Sequence, residues 1–322
     1  MRFGRVNLRD AEGAMLAHSF TVESGRYQKG HRITSLDVMT LSAAGVESLV
    51  VARLEKDDVE ENDAAGQIAD LLTQGHLRNT SATTGRVNIH SAVSGLFTAD
   101  CDIINRLNRL DAAITIACLA DHSPVRANDI VASVKIVPFA VSRQQIEQAR
   151  RLASLIIPFE VKPFLPHRVA LIATTLPSLK QQTLVKTRTV LAERLTRHGS
   201  SLDREWRVGH DESEIAAAIE AALPDHDLVI IFGASAVADP HDVLPTAIRR
   251  AGGVVEHVGM PVDPGNLLVL GRVNEIRVIG APGCARSPRH NGLDLILHRV
   301  LAGEYPTSWD VMGLGVGGLL AT

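Results

Sequence analysis

Ile279-Gly280-Ala281-Pro282-Gly283-Cys284-Ala285-Arg286-Ser287-Pro288-Arg289-His290-Asn291 stands between an apolar run at 276–279 and a helical pattern at 292–301. A strand that enters a Pro-Gly turn and leaves as a helix is one unit of a parallel sheet covered by helices. In such sheets ligands bind beyond the carboxyl ends of the strands, so this loop is a first place to look for chemistry. Gly283 is expected to permit a tight turn. Arg286 and Arg289 can pair with phosphate or carboxylate, and Cys284 and Ser287 lie beside them. Taken alone, the same stretch also reads as a surface loop with two solvated arginines, and Cys284 reads as a small loop residue rather than a nucleophile.

Working back along the chain, the alternation continues. Residues 168–173 form an apolar strand, and 180–198 has helical spacing stopped by Gly199. A short strand at 202–208 follows, then a helix capped by Asp211 or Ser213 and running to Leu223. Residues 227–232 read as a buried strand, 243–251 as a helix, and 254–258 as a strand before the one at 276–279. This half is expected to be α/β, with a doubly wound, mostly parallel sheet. The prolines at 158, 163 and 166 forbid a helix there, which places a boundary near Pro166. The expected domains are 1–166, 167–305, and a Gly-rich tail or linker at 306–322. The N-terminal domain reads as α+β or α/β: a helix from Thr34 or Ser35 to Ala44, a strand at 48–52, a helix at 57–73, strands at 112–118 and 130–139, and a helix at 142–157.

Composition limits the function classes. Aromatic residues are only 3% of the chain, so the core must be aliphatic, which suits parallel sheets. A net charge of −3 gives no electrostatic case for nucleic acid or an anionic membrane. Cys101, Cys118 and Cys284 are too widely spaced for a zinc signature and odd in number, which points to a reducing, cytoplasmic compartment. No apolar run is long enough to span a bilayer.

Two more loops follow strands. In Phe232-Gly233-Ala234-Ser235-Ala236-Val237-Ala238-Asp239-Pro240-His241-Asp242, small residues let backbone N–H groups approach an anion, and the next helix adds a favourable dipole. Ser235 can donate to that anion, and Asp239 and Asp242 can hold a metal; the plain alternative is a turn with Asp as cap. In Met260-Pro261-Val262-Asp263-Pro264-Gly265-Asn266-Leu267, Asp263 and Asn266 offer polar groups on a Pro-Gly turn. Thr174 and Thr175, at another strand end, can reach a ligand or cap a turn.

The order of these loops resembles the molybdopterin-binding domain shared by molybdopterin adenylyltransferases and molybdopterin molybdenumtransferases, over about residues 168–303. Gly233-Ala234-Ser235 with Asp239 or Asp242 stands where that family has a Gly-Gly loop followed by an essential Asp. Pro264-Gly265-Asn266-Leu267 matches its Pro-Gly-Lys-Pro, and Ala281-Pro282-Gly283-Cys284-Ala285 its Leu-Pro-Gly-Asn-Pro. Gly13-Ala14-Met15-Leu16-Ala17-His18, Lys29-Gly30-His31-Arg32-Ile33 and Ala44-Gly45-Val46 resemble the stretch ahead of this domain in some cofactor-biosynthesis proteins, where a nucleotidyltransferase domain can follow. The resemblance implies binding of molybdopterin or molybdenum cofactor in synthesis or handover, with Mg2+ at Asp239 and Asp242, the residues that would serve nucleotidyl or molybdenum transfer. It implies a pterin phosphate or nucleotide as ligand, a molybdoenzyme or synthesis protein as partner, and a homo-oligomer. The departures at Ala234, Asn266 and Cys284 weaken the case for catalysis: a methyl at 234 opposes positive φ, and Asn266 replaces a phosphate-pairing lysine. A non-catalytic sensing or interaction module and a hydrolase of a nucleotide-derived small molecule are the alternatives.

Overall fold

The computed structural model describes residues 1–23 and 25–320. The chain divides into two units, Met1–Val93 with Phe97–Val161, and Ser94–Leu96 with Lys162–Thr322.

The first unit is α+β. Strand Arg2–Asn7 pairs antiparallel with Ser48–Arg53, which also takes Met15–Leu16 on its other edge. Helix Ser35–Ala43 begins on a Thr34–Asp37 capping box and packs near a small core of Leu8, Leu16, Ile33 and Leu41. A second, antiparallel sheet has the order Ile114–Cys118, Ile130–Ile136, Arg86–Ser91, Leu77–Asn79. Ile68 and Leu72 of helix Glu61–Leu72 and Ile146 of helix Arg143–Ala153 share a core with Ile89 and Val134 of that sheet. The helix expected at 57–73 starts late because Asp58–Glu60 is taken as a strand against Ala140–Ser142. Ladder pairing there outweighs the helical pattern of its first turn.

The second unit is the expected α/β layer structure. Its elements are β1 Arg168–Thr175, α1 Gln181–Thr196, β2 Ser201–Gly209, α2 Glu212–Ala222, β3 Leu228–Phe232, α3 Val243–Arg250, β4 Val254–Val258, β5 Val269–Val273, β6 Ile276–Ala281, α4 Gly292–Leu301 and α5 Ser308–Met312. The sheet order is β2-β1-β3-β6-β5-β4. The first four are parallel; β5 runs antiparallel to β6, and β4 to β5. Strand β5 is an addition to the elements expected from the sequence.

The period-two alternation of the central strands sends side chains to two helix layers. Leu171, Leu228 and Ile230 join a core with Leu184 and Leu191 of α1 and Ile296 and Leu297 of α4. Ala170, Ile172, Val229 and Ile231 join a core with Ile215 and Ile219 of α2 and Leu244 and Ile248 of α3. The chain therefore leaves β1 on one face to reach β2, and crosses the other face to reach β3. That reversal makes the carboxyl ends of β1 and β3 the switch point of the sheet, and a pocket lies beside it, between the loops after β3 and β6. Beyond α4, α5 starts on a Thr307–Asp310 capping box and is anchored by the buried Val311. The Leu320 N–H donates to Asp263 O at 2.8 Å. Residues 321 and 322 of the expected tail lie outside the described residues.

Candidate functional site

The loop after β3 is shaped by a close approach. A Cβ on Gly233 would stand 2.7 Å from the Ser235 carbonyl oxygen, so only glycine fits. Ala234, by contrast, does not adopt positive φ, and its methyl is compatible with the turn, against the expectation from the sequence. The Ala234 N–H donates to Thr174 Oγ1 at 2.6 Å, and the same hydroxyl is bonded to His210 Nδ1 at 2.9 Å. Thr174 is fully buried, so it holds the loop from beneath rather than reaching a ligand. Thr175 likewise donates inward, to Val208 O at 3.0 Å. The N–H groups of Ser235, Ala236 and Val237 have no acceptor among the described residues. Three successive open donors in a loop that leads to a helix N-terminus are groups that can donate to an anion.

The two aspartates of this loop do structural work. Asp242 caps α3: Oδ1 accepts from Val243 N–H at 2.6 Å and Oδ2 from Ala238 N–H at 2.9 Å. Asp239 Oδ1 accepts from His241 N–H at 2.7 Å. Among the described residues no three His, Cys, Asp or Glu side chains gather in a way that could hold a metal ion. Each aspartate is thus engaged by backbone N–H groups, and a Mg2+ ion expected at Asp239 and Asp242 would need a ligand phosphate and waters to complete its octahedron.

The loop after β6 makes the opposite wall. Pro282 is buried and starts a short 3-10 turn, Gly283–Arg286, in which Ala285 N–H donates to Pro282 O at 3.0 Å. Gly283 is exposed, does not adopt positive φ, and has nothing within 4 Å of a Cβ built on it. It is thus not demanded by the turn; it leaves room beside the pocket. Arg286 donates from Nη1 to Thr187 Oγ1 at 2.6 Å and from Nη2 to Gly233 O at 2.9 Å, and lies over the Phe232 ring. Burial pushes its pKa down, yet a guanidinium remains a cation, so the pocket holds one partly desolvated positive charge. Burial pushes the Cys284 thiol up, which disfavours the thiolate that a nucleophile needs. Ser287 Oγ accepts from Arg289 N–H at 3.3 Å, while Arg289 itself is exposed.

The residue that organises this wall was not singled out by sequence. Arg194 of α1 is 4% exposed. It donates to Asp294 Oδ1 at 2.8 Å, to Ala285 O and Ser287 O at 2.7 Å, and to Arg289 O at 3.0 Å. Its only trace in sequence is a charged residue on the apolar face of a helix. His210 was missed as well; its trace is only its place at the end of β2.

The loops after β3 and β6 meet at one pocket of about 170 Å3, lined by residues 233–237 and by Leu244, Leu267, Ala281, Pro282, Gly283 and Arg286. The third loop contributes only Leu267. Its Gly265 presses on Gly292, where a Cβ would stand 2.4 Å from Gly292 N. Pro264 O accepts from that N–H at 2.9 Å. Asp263 and Asn266 line a separate shallow cavity with Gly315, Gly318 and Leu319. Gly233, Ala234, Ser235, Pro282, Gly283 and Arg286 are therefore brought together, whereas Asp263 and Asn266 are not among them.

Residues 171–302 match the family model described as a probable molybdopterin binding domain, and residues 5–53 match a domain of unknown function, DUF8806. No curated protein matches the chain. Among solved structures, the molybdopterin biosynthesis MoeA protein of Pyrococcus horikoshii is similar at 13% identity and a TM-score of 0.32, covering 94% of this chain and 75% of that one. The molybdopterin biosynthesis enzyme MoaB of Thermus thermophilus is similar at 16% identity and 0.31, covering 43% and 98%. CinA of Thermoplasma acidophilum, a protein of unknown function, stands at 19% and 0.29, covering 36% and 88%. Residues 171–302 are thus a domain of the molybdopterin-binding family.

Proposed function

We propose that this domain binds molybdopterin through its terminal phosphate, in the crevice between the loops after β3 and β6. The reading rests on one observation: Ser235, Ala236 and Val237, whose N–H groups are unpaired, line the same pocket as Arg286. Backbone donors and a fixed guanidinium suit a phosphate, which accepts several hydrogen bonds at once. The pocket is smaller than the usual few hundred Å3 of a cofactor site, so the phosphate enters it and the pterin lies outside, over the loop rims.

On this reading the protein binds and hands over the cofactor during its biosynthesis, in the cytoplasm, with a molybdoenzyme or another synthesis protein as recipient. Asp239 and Asp242 are engaged as turn and cap acceptors, which favours a carrier or sensing role over Mg2+-assisted nucleotidyl or molybdenum transfer. Titration of the full chain with purified molybdopterin under anaerobic conditions tests this reading. Saturable binding with one ligand per chain is expected. No binding, under conditions where an established binder responds, would overturn it.

A further inference from the structure

Cys101 and Cys118 belong to the first unit, and its fold brings them to one place. Asp100 Oδ1 accepts from Ile103 N–H at 2.8 Å, so helix Cys101–Asn108 starts on a fixed cap with Cys101 as its first residue. The chain then turns and comes back as strand Ile114–Cys118. Two ties set the register of helix against strand. At one end the Asn108 side chain donates to Ile116 O at 2.9 Å and accepts from Ile116 N–H at 2.8 Å. At the other, Ala99 N–H donates to Asp121 Oδ1 at 3.0 Å. Both cysteines lie between these ties. From the Asn108–Ile116 tie, Cys101 is about 10.5 Å back along the helix and Cys118 about 6.6 Å on along the strand, which puts them at nearly one level. Their sides agree as well. Cys101 stands two helical turns before Asn108, hence on the stripe that meets the strand, and Cys118 packs against the core that Ile103, Ile104 and Leu107 of the helix share with Ile114 and Ile116.

We propose that Cys101 and Cys118 are a redox pair that a peroxide converts to a disulfide. Cys101 is exposed and meets the oxidant first, while Cys118 is half-buried behind it. Burial pushes the Cys118 thiol up, and the neighbouring Cys101 and Asp121 add to that rise, which fits a resolving thiol rather than the first to react. In the first step Cys101 Sγ attacks hydrogen peroxide: an S–O bond forms, the O–O bond breaks, and water leaves with the thiol proton, giving a sulfenic acid. In the second, Cys118 Sγ attacks Cys101 Sγ: the S–S bond forms, the S–O bond breaks, and the oxygen departs as water with the Cys118 proton. The two thiols lose two electrons and the peroxide is reduced to two waters. A dithiol reductant reverses the change by exchange. The bond fastens the first turn of the helix to the end of the strand and constrains the unfolded chain, so the oxidised protein is the more stable form.

The proposal stands apart from the ligand reading. The full, folded chain is treated with hydrogen peroxide, its remaining thiols are trapped with N-ethylmaleimide, and the unreduced tryptic peptides are mapped by mass spectrometry. Arg106 and Arg109 lie between the two cysteines, so trypsin separates their peptides unless a disulfide joins them. The expected product is the Cys101–Cys118 peptide pair, two hydrogens lighter than the sum of its thiols and lost on treatment with dithiothreitol, with Cys284 alkylated. The oxidised chain is expected to melt at a higher temperature than the reduced one. Cys118→Ser should leave Cys101 as a sulfenic acid that dimedone captures, and Cys101→Ser should remove both the link and the rise in melting temperature. Oxidation of Cys101 in the wild type to sulfinic or sulfonic acid with no link to Cys118 would overturn the proposal. So would a link from either cysteine to Cys284 or to another chain, or an oxidised chain that melts below the reduced one.

Discussion

Arg286 Nη2 donates to Gly233 O at 2.9 Å, so the cation on one wall of the pocket is tied to the first residue of the other. The two loops are about fifty residues apart in sequence, and this bond makes them one structure rather than two loops that happen to be near.

Replacing Arg286 with Met removes the pocket's cation and leaves Gly233 O and Thr187 Oγ1 without their donor. Ligand affinity is expected to fall at least tenfold, with a stability loss of about 1–3 kcal/mol. Arg286→Lys keeps the charge and loses the fork, so it should recover only part of the affinity. Parallel titrations and urea melts separate the two effects.

Arg194 and Asp294 form a buried ion pair whose guanidinium also fixes three carbonyls of the loop after β6. Breaking it with Arg194→Met strands a buried carboxylate, at a cost of ~3–5 kcal/mol. Urea denaturation should show that loss, and Asp294→Asn in the same chain should restore part of it. A melt of Arg194→Met that matches the wild type would contradict the role given to this pair.

Asp242→Ala removes a helix cap and should cost about 1 kcal/mol. A carrier that meets phosphate through backbone donors should keep most of its affinity in this variant, with no dependence on added Mg2+. Titrations with and without chelator read both.

Burial, reinforced by the neighbouring His198, lowers the pKa of His298 to about 4. His198 and His167 are lowered as well, mainly by burial. The unfolded chain therefore takes up protons that the folded chain refuses. Stability is full above the ordinary histidine value near 6.5 and is lost as pH falls toward 4. For His298 alone the loss is on the order of 3 kcal/mol. Urea midpoints at several pH values between 7 and 4.5 should show this slope, and His298→Leu should flatten it.

The alternating half of the chain was readable because its strands and helices carry caps and stops: Asp211 caps where expected, and Gly199 follows the end of α1. Strand β5 was hidden because its apolar run begins directly behind the Asp-Pro-Gly turn, with no stop between loop and strand. The helix at 57–73 was overdrawn because its partner strand, Ala140–Ser142, lies eighty residues away. The candidate pocket was legible as loops but not as roles. Periodicity cannot say that Thr174 faces a loop N–H, that Arg194 turns inward, or that Asp242 is consumed by its own helix, since each depends on neighbours distant in sequence or on which acceptor a backbone chooses.

Gly283 gives the most direct measurement. It lines the pocket, has open space where a Cβ would be, and is not held at positive φ. A valine there should fill the pocket without cost to the fold. Anaerobic titration of molybdopterin into the wild type and Gly283→Val, with melting curves of both, is expected to give saturable binding to the first, at least tenfold weaker binding to the second, and equal stability. Equal affinity of the two chains for molybdopterin would contradict the placement of its phosphate between the loops after β3 and β6.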